Sequence, residues 1–164
     1  MNDQDDQYAA DDEELGELEE GGGVIEGGCI AIPDGEYELR YVFYETGMFF
    51  GSPKVAVHFT IVAPDEHASV PVCRYYNVKE LIGPYRKYGG YIATPRGSLK
   101  REYGRLVREP KRPDRISFSV LKGRRILARL ATVMRAHDRA DLAPDDQYSK
   151  VAELIRIIDD DYGL

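Results

Sequence analysis

The chain of 164 residues carries 22 Lys and Arg against 29 Asp and Glu, a formal net charge of −7, with 43% apolar residues, 16 Gly and 9 Pro. That length suits one domain with a real core. No apolar run approaches the ~18 residues of a membrane span, and the acidic N-terminus lacks the basic and apolar regions of a signal peptide. Cys29 and Cys73 lie far apart without CxxC spacing, which points to reduced thiols in a cytoplasmic protein rather than to a disulfide framework or a zinc site.

The charge is strongly partitioned. Residues 1–28 hold eleven acidic side chains and no basic one, whereas Arg74 to Arg139 holds eighteen Lys and Arg against five acids, a net of +13. Residues 1–23, MNDQDDQYAADDEELGELEEGGG, have too few large apolar side chains to offset the entropy of ordering and are expected to form a disordered acidic tail. Residues 24–158 are expected to form the folded domain, and 159–164 an acidic tip.

The domain opens with IPDGEYELRYVFYETG, a Pro-Asp-Gly turn followed by alternation. Tyr37, Leu39, Tyr41 and Phe43 are expected inward, and Glu36, Glu38, Arg40 and Tyr44 outward, as in a half-buried strand. KVAVHFTIVAP repeats the pattern, with Val55, Val57, Phe59 and Ile61 inward and Lys54, Ala56, His58 and Thr60 outward. TGMFFGSP between them reads as a hairpin loop holding Met48, Phe49 and Phe50. After the turn APDEHA, SVPVCRYYNV forms a third strand. A loop rich in Gly, Tyr and basic residues leads to SLKREYGRLVRE, where Ser98 is the expected N-cap and Leu99, Tyr103, Leu106 and Val107 recur at helical spacing. RRILARLATVMR is the next strand, and YSKVAELIRII is the last strand or, alternatively, a short helix from Val151. Three meandering strands, a helix and two strands define a mainly β, α+β fold with one helix. The order matches a five-stranded Greek-key barrel of the oligonucleotide-binding (OB) type, and a generic sheet with one helix fits it as well.

Catalytic signatures are missing: there is no phosphate-binding GxxxxGK[ST] loop, no HExxH and no GxSxG, and His58, His67 and His137 are dispersed in sequence. The chain is therefore expected to be no enzyme and to need no cofactor or metal. A binding role is expected instead, since single-strand binding needs cations that track a phosphate backbone and rings on which bases stack. Gly83 to Arg112 concentrates nine Lys and Arg with Tyr85, Tyr88, Tyr91 and Tyr103. The candidate nucleic-acid-binding residues are Arg40, Tyr44, Phe49, Phe50, Lys54, His58, Arg74, Tyr76, Tyr85, Arg86, Lys87, Tyr88, Arg96, Lys100 and Arg101. Phe49 and Phe50 could equally close one end of a barrel, and Lys100 and Arg101 could belong to an ordinary solvated helix face.

The terminal DDDYGL resembles the acidic, apolar-ended tip of bacterial single-stranded-DNA-binding proteins, with Tyr-Gly-Leu where that family has Ile-Pro-Phe. The resemblance implies a basic barrel that binds single-stranded DNA, with RNA as the alternative ligand, and Asp159, Asp160, Asp161 and Leu164 as contacts to a replication or repair partner. The stretch LRYVFYETGMFFGSPKVAVHFTIV with RYYNV resembles uncharacterised proteins of phages and bacterial mobile elements, which implies replication, recombination or defence against a host system. The alternative expectation is a protein-directed inhibitor, with residues 3–20 imitating a phosphate backbone against a host-defence protein. A homo-oligomer is compatible with either.

Overall fold

The computed structural model describes residues 31–108, 110, 114–134, 141 and 147–158. The acidic segment 1–23, Cys29, and Asp159, Asp160, Asp161 and Leu164 of the tip lie outside the described residues. In chain order the elements are β1 (Gly35–Phe49), β2 (Ser52–Ala63), β3 (Pro71–Ile82), β4 (Gly90–Ala93), helix α1 (Ser98–Leu106), β5 (Arg125–Val133) and β6 (Tyr148–Ile157). Short 3-10 turns occupy Asp65–His67 and Phe118–Leu121.

The strands form one antiparallel sheet in the order β4-β3-β2-β1-β5-β6. The mainly β, single-helix architecture is as the alternation and spacing predict, and the last apolar run is a strand. The closed five-stranded barrel is corrected to an open sheet of six strands. The extra strand, β4, arises inside the Gly/Tyr/basic loop, where Ile92 and Tyr91 pair with Glu80 and Leu81 of β3.

Alternation delivers one apolar face: Leu39, Val57, Phe59, Ile126 and Leu130 are fully buried. Leu99 and Leu106 on α1, with Phe118 and Leu121 from the second 3-10 turn, close over that face. Ser98 is the first helical residue; the N-cap is Gly97, with extended backbone and no side-chain capping bond. The β1–β2 loop is shorter than expected. Phe49 pairs with Ser52, so only Phe50 and Gly51 turn the chain, with φ of 54° and 83°, the signs of a type I′ hairpin turn.

The helix is fixed by one buried carboxylate. Glu102 lies one turn from Leu99 on the inward side of α1 and is 1% exposed. Its Oε1 accepts from the Tyr76 hydroxyl (2.8 Å), from Arg74 Nε (3.2 Å) and from the backbone N–H of Leu154 (2.8 Å), while Oε2 accepts from Arg74 Nη2. Arg105, one turn further, donates to the Leu154 carbonyl at 3.0 Å. Side chains of α1 thus bond both backbone groups of Leu154 on β6, and the same Glu102 binds β3. An uncovered strand edge invites pairing with another chain, and here α1 occupies the edge of β6 at Leu154. The other edge strand, β4, has only four residues.

Arg74 and Tyr76 are therefore expected to behave as a buried unit with Glu102. Arg74→Met or Glu102→Leu alone strands a buried partner and should cost about 3–5 kcal/mol, whereas the double variant should cost clearly less than the sum. Urea unfolding of the four proteins measures this, and strict additivity would contradict the network.

Candidate nucleic-acid interface

β1 is the scaffold of the candidate site, and an irregularity within it decides which rings face out. The β1–β2 register shifts between Tyr41 and Phe43, leaving Val42 without a partner in that ladder and exposed. Such a bulge moves every later side chain to the opposite face. Tyr37, Leu39 and Tyr41 point inward as expected, but beyond Val42 the inward residues are Tyr44 and Thr46. Phe43, expected in the core, joins Glu45, Gly47 and Phe49 on the outer face.

The ladders then set out the outer surface in rows. Phe43 lies beside His58 and Cys73, Glu45 beside Ala56 and Tyr75, Gly47 beside Lys54 and Asn77, and Phe49 beside Ser52. Two residues of strand rise about 6.7 Å, so the four rows run for about 20 Å. Phe43 and His58 stack with centroids 4.3 Å apart, and Lys87 Nζ stands 4.7 Å over the Phe43 ring, which therefore has neighbours on both faces. His58 Nε2 is 2.8 Å from Glu45 Oε2. At the hairpin end Tyr75 meets Phe49 at 5.4 Å and Phe50 edge-on at 5.1 Å. Lys54 bonds the Asn77 side chain between the two clusters. Small residues at Gly47 and Ala56 keep the middle of the surface low. A Cβ on Gly47 would lie 2.9 Å from the Phe49 ring.

The loop after β3 is held against the edge of β1. Thr46 N–H donates to the Arg86 carbonyl (2.9 Å), Tyr88 N–H to the Tyr44 carbonyl (2.9 Å) and the Tyr44 hydroxyl to the Gly89 carbonyl (3.0 Å), while the Thr46 hydroxyl accepts from Arg86 N–H (3.2 Å). Lys87 forms an isolated β-bridge with Glu45 and its ammonium reaches the Phe43 ring, while the Tyr88 ring meets Tyr44 edge-on at 5.5 Å. Phe50 and Tyr88 are both non-glycine residues at left-handed φ, 54° and 58°, and both are about half exposed. That conformation costs an L-residue with a large side chain about 1–2 kcal/mol.

The structure brings Phe49, Phe50, Lys54, His58 and Lys87 onto one face, with Tyr85, Arg86 and Tyr88 exposed along its rim. Arg40 lies on the outer side of β1, before the bulge. Tyr44 is corrected from an outward to an inward position, and Arg74 and Tyr76, expected as ligand contacts on the third strand, also face inward. The bulge turns Tyr44 into contact with Phe118 (5.1 Å), and Arg74 and Tyr76 share inner-face parity with Val72 and Val78 and serve Glu102. Arg96, Lys100 and Arg101 are exposed on the turn before α1 and on α1 itself, which packs on the inner face. Phe43 and Tyr75 complete the aromatic face. Among the described residues no group of three His, Cys, Asp or Glu could hold a metal, and no helix is long and apolar enough to cross a membrane. Comparison of the chain with family models, with curated proteins and with solved structures finds no match.

Burial raises several acids around this scaffold. It pushes the Cys73 thiol up to about 12 and the Tyr41 hydroxyl up to about 12, and it raises Tyr75, Tyr76 and Tyr91 further. Each group favours its protonated form more in the folded than in the unfolded chain. Their contribution is therefore fully present below about pH 9 and is lost as pH climbs towards 12. Urea midpoints should hold steady up to pH 9 and fall progressively above it, and a midpoint unchanged at pH 11 would contradict the burial. The rim makes a separate demand. A Cβ at Gly89 would sit 2.2 Å from Thr46 Oγ1, so Gly89→Ala should release the loop and speed amide exchange at Arg86 and Tyr88. Exchange as slow as in the parent protein would show that the loop is not clamped there.

Proposed function

We propose that the protein binds single-stranded nucleic acid, DNA or RNA, without catalysis, along the outer face of β1, β2 and β3. The observation that carries this reading is the pair Phe50 and Tyr88, large exposed rings held at unfavourable φ on well-bonded supports. Strain of this kind gathers where a ligand is met. Phe50 stands at the hairpin end of an aromatic face, and Tyr88 stands beside Lys87, with Nζ 5.5 Å from its ring centroid. Bases stack on Phe50, Tyr85 and Tyr88, and Lys54, Arg86 and Lys87 meet the phosphates. Unpaired bases contribute about 1–3 kcal/mol each by stacking, which a duplex cannot offer.

The topology supports the same reading. Strand order β3-β2-β1-β5-β6, with a helix between the third strand and the last pair, is the plan of an OB barrel left open between β3 and β6. In that fold the β2–β3 face and the β1–β2 loop bind oligonucleotides. A role in the replication or recombination of a phage or mobile element is consistent with such an activity, since both processes expose single strands.

Fluorescence titration with single-stranded and duplex probes of equal length tests the proposal. Single strands should bind more tightly, with a salt slope near −0.7 per phosphate neutralised. Phe50→Asn is the sharpest variant, because Asn tolerates left-handed φ. It should raise the melting temperature while weakening single-strand binding by about 1–3 kcal/mol, the contribution of one stacked base. Equal or better binding of duplex would remove the stacking claim and leave a backbone-directed or protein-directed role.

A further inference from the structure

The outward face of α1 is a second charged surface with a different chemistry. Lys100, Arg101 and Arg105 on α1, and Arg108 two residues beyond its end, are all exposed, while the one acid of the helix, Glu102, is buried against Arg74. Arg105 shares Glu153 with Arg129, at 3.4 and 3.2 Å. Tyr103 is half-buried and its hydroxyl accepts from Ser117 N–H, so α1 offers positive charge without an exposed ring on which a base could stack. A ligand of this face is recognised by negative charge alone.

The chain itself contains a segment of that chemistry. Between Asp3 and Glu20 it has ten acids and no Lys or Arg. The described residues show where this segment joins the domain. Ile32 is buried, its N–H donates to Ser149 Oγ at 2.8 Å, and that hydroxyl donates back to the Ile32 carbonyl at 3.3 Å. Ser149 lies five residues before Leu154, the residue bonded by Glu102 and Arg105 of α1. Five residues of strand cover about 17 Å. The twelve residues from Glu20 to Ile32 can span up to about 40 Å, so the acidic run reaches α1 easily. Tethering gives it a local concentration in the millimolar range, enough for weak contacts to persist at low salt.

We infer that the acidic segment Asp3–Glu20 docks, within the same chain, on the cationic face of α1. Its occupancy masks this ring-free cationic surface from duplex backbones and leaves the aromatic face open. The inference does not depend on what the aromatic face binds.

Zero-length carbodiimide coupling of carboxylates to lysine amines, read by mass spectrometry, locates the seat. The full chain is used, as an equal mixture of ordinary and nitrogen-15-labelled protein, so that links within and between chains are distinguished. Lys100 marks the helix, whereas Lys54 and Lys87 mark the aromatic face. The expected result is coupling of residues 3–20 to Lys100 within single chains. It should fall about tenfold or more when salt rises from about 0.02 to about 0.5 M, as the Debye length shortens from about 20 to about 4 Å. The variant Arg101→Glu with Arg108→Glu, both exposed positions, should fold with an unchanged melting temperature and lose the coupling. Coupling mainly to Lys54 or Lys87, coupling between chains, an even spread over all lysines, or no salt dependence would each overturn the inference.

Discussion

A carboxylate taken out of water is tolerated only where donors replace its hydration, and the cost of leaving it unpaired is several kcal/mol. Glu102 meets that demand with two groups of Arg74, the Tyr76 hydroxyl and the Leu154 amide. Those donors come from β3 and β6, which share no ladder among the described residues. The carboxylate therefore holds the helix, the β3 strand and the far edge of the sheet at one point. Burial is the largest influence on Arg74 and alone would lower its affinity for its proton; the hydrogen bonds and charge interactions with Glu102 and Tyr76 together outweigh it, and the net shift is upward. Each member of the pair replaces part of the hydration that the other loses on burial.

With β3 fixed from the inner side, its outer residues Tyr75 and Asn77 are presented in register with Ala56 and Lys54 of β2. The bulge at Val42 then supplies Phe43, Glu45 and Phe49 to the same surface, and the clamped loop adds Lys87. Most of this surface is set before any ligand arrives. Under the proposed single-strand binding, little ordering entropy would remain to be lost, so a modest number of stacked rings and paired phosphates would suffice. Two charged surfaces among the described residues differ in chemistry: rings interleaved with cations on the sheet, and cations without exposed rings on the helix.

Much of the fold is legible in the sequence because period-2 alternation and helical spacing are local signals. The β1–β2–β3 meander, α1, β5 and the apolar run that becomes β6 all announce themselves in this way. Other features depend on the tertiary arrangement. Nothing local marks Val42 as the bulged residue, although adjacent Phe43 and Tyr44 cannot both face inward on a regular strand. Arg74 and Glu102 read as surface charges until β3 and α1 come together. The strand β4 is only four residues long and is hidden among loop-forming residues. Five of the fifteen residues expected at the site share the aromatic face and three more line its rim. Composition could single them out because a local abundance of large rings and cations is visible whatever the exact register.

The most direct test of the account is a nuclear magnetic resonance titration of the full-length protein with a short single-stranded oligonucleotide. Amide and aromatic shifts should move at Phe49, Phe50, Tyr75, His58, Lys87 and Tyr88, while Lys100, Arg101 and the Glu102 network stay in place. Shifts confined to α1, or an unperturbed aromatic face at saturating oligonucleotide, would contradict it.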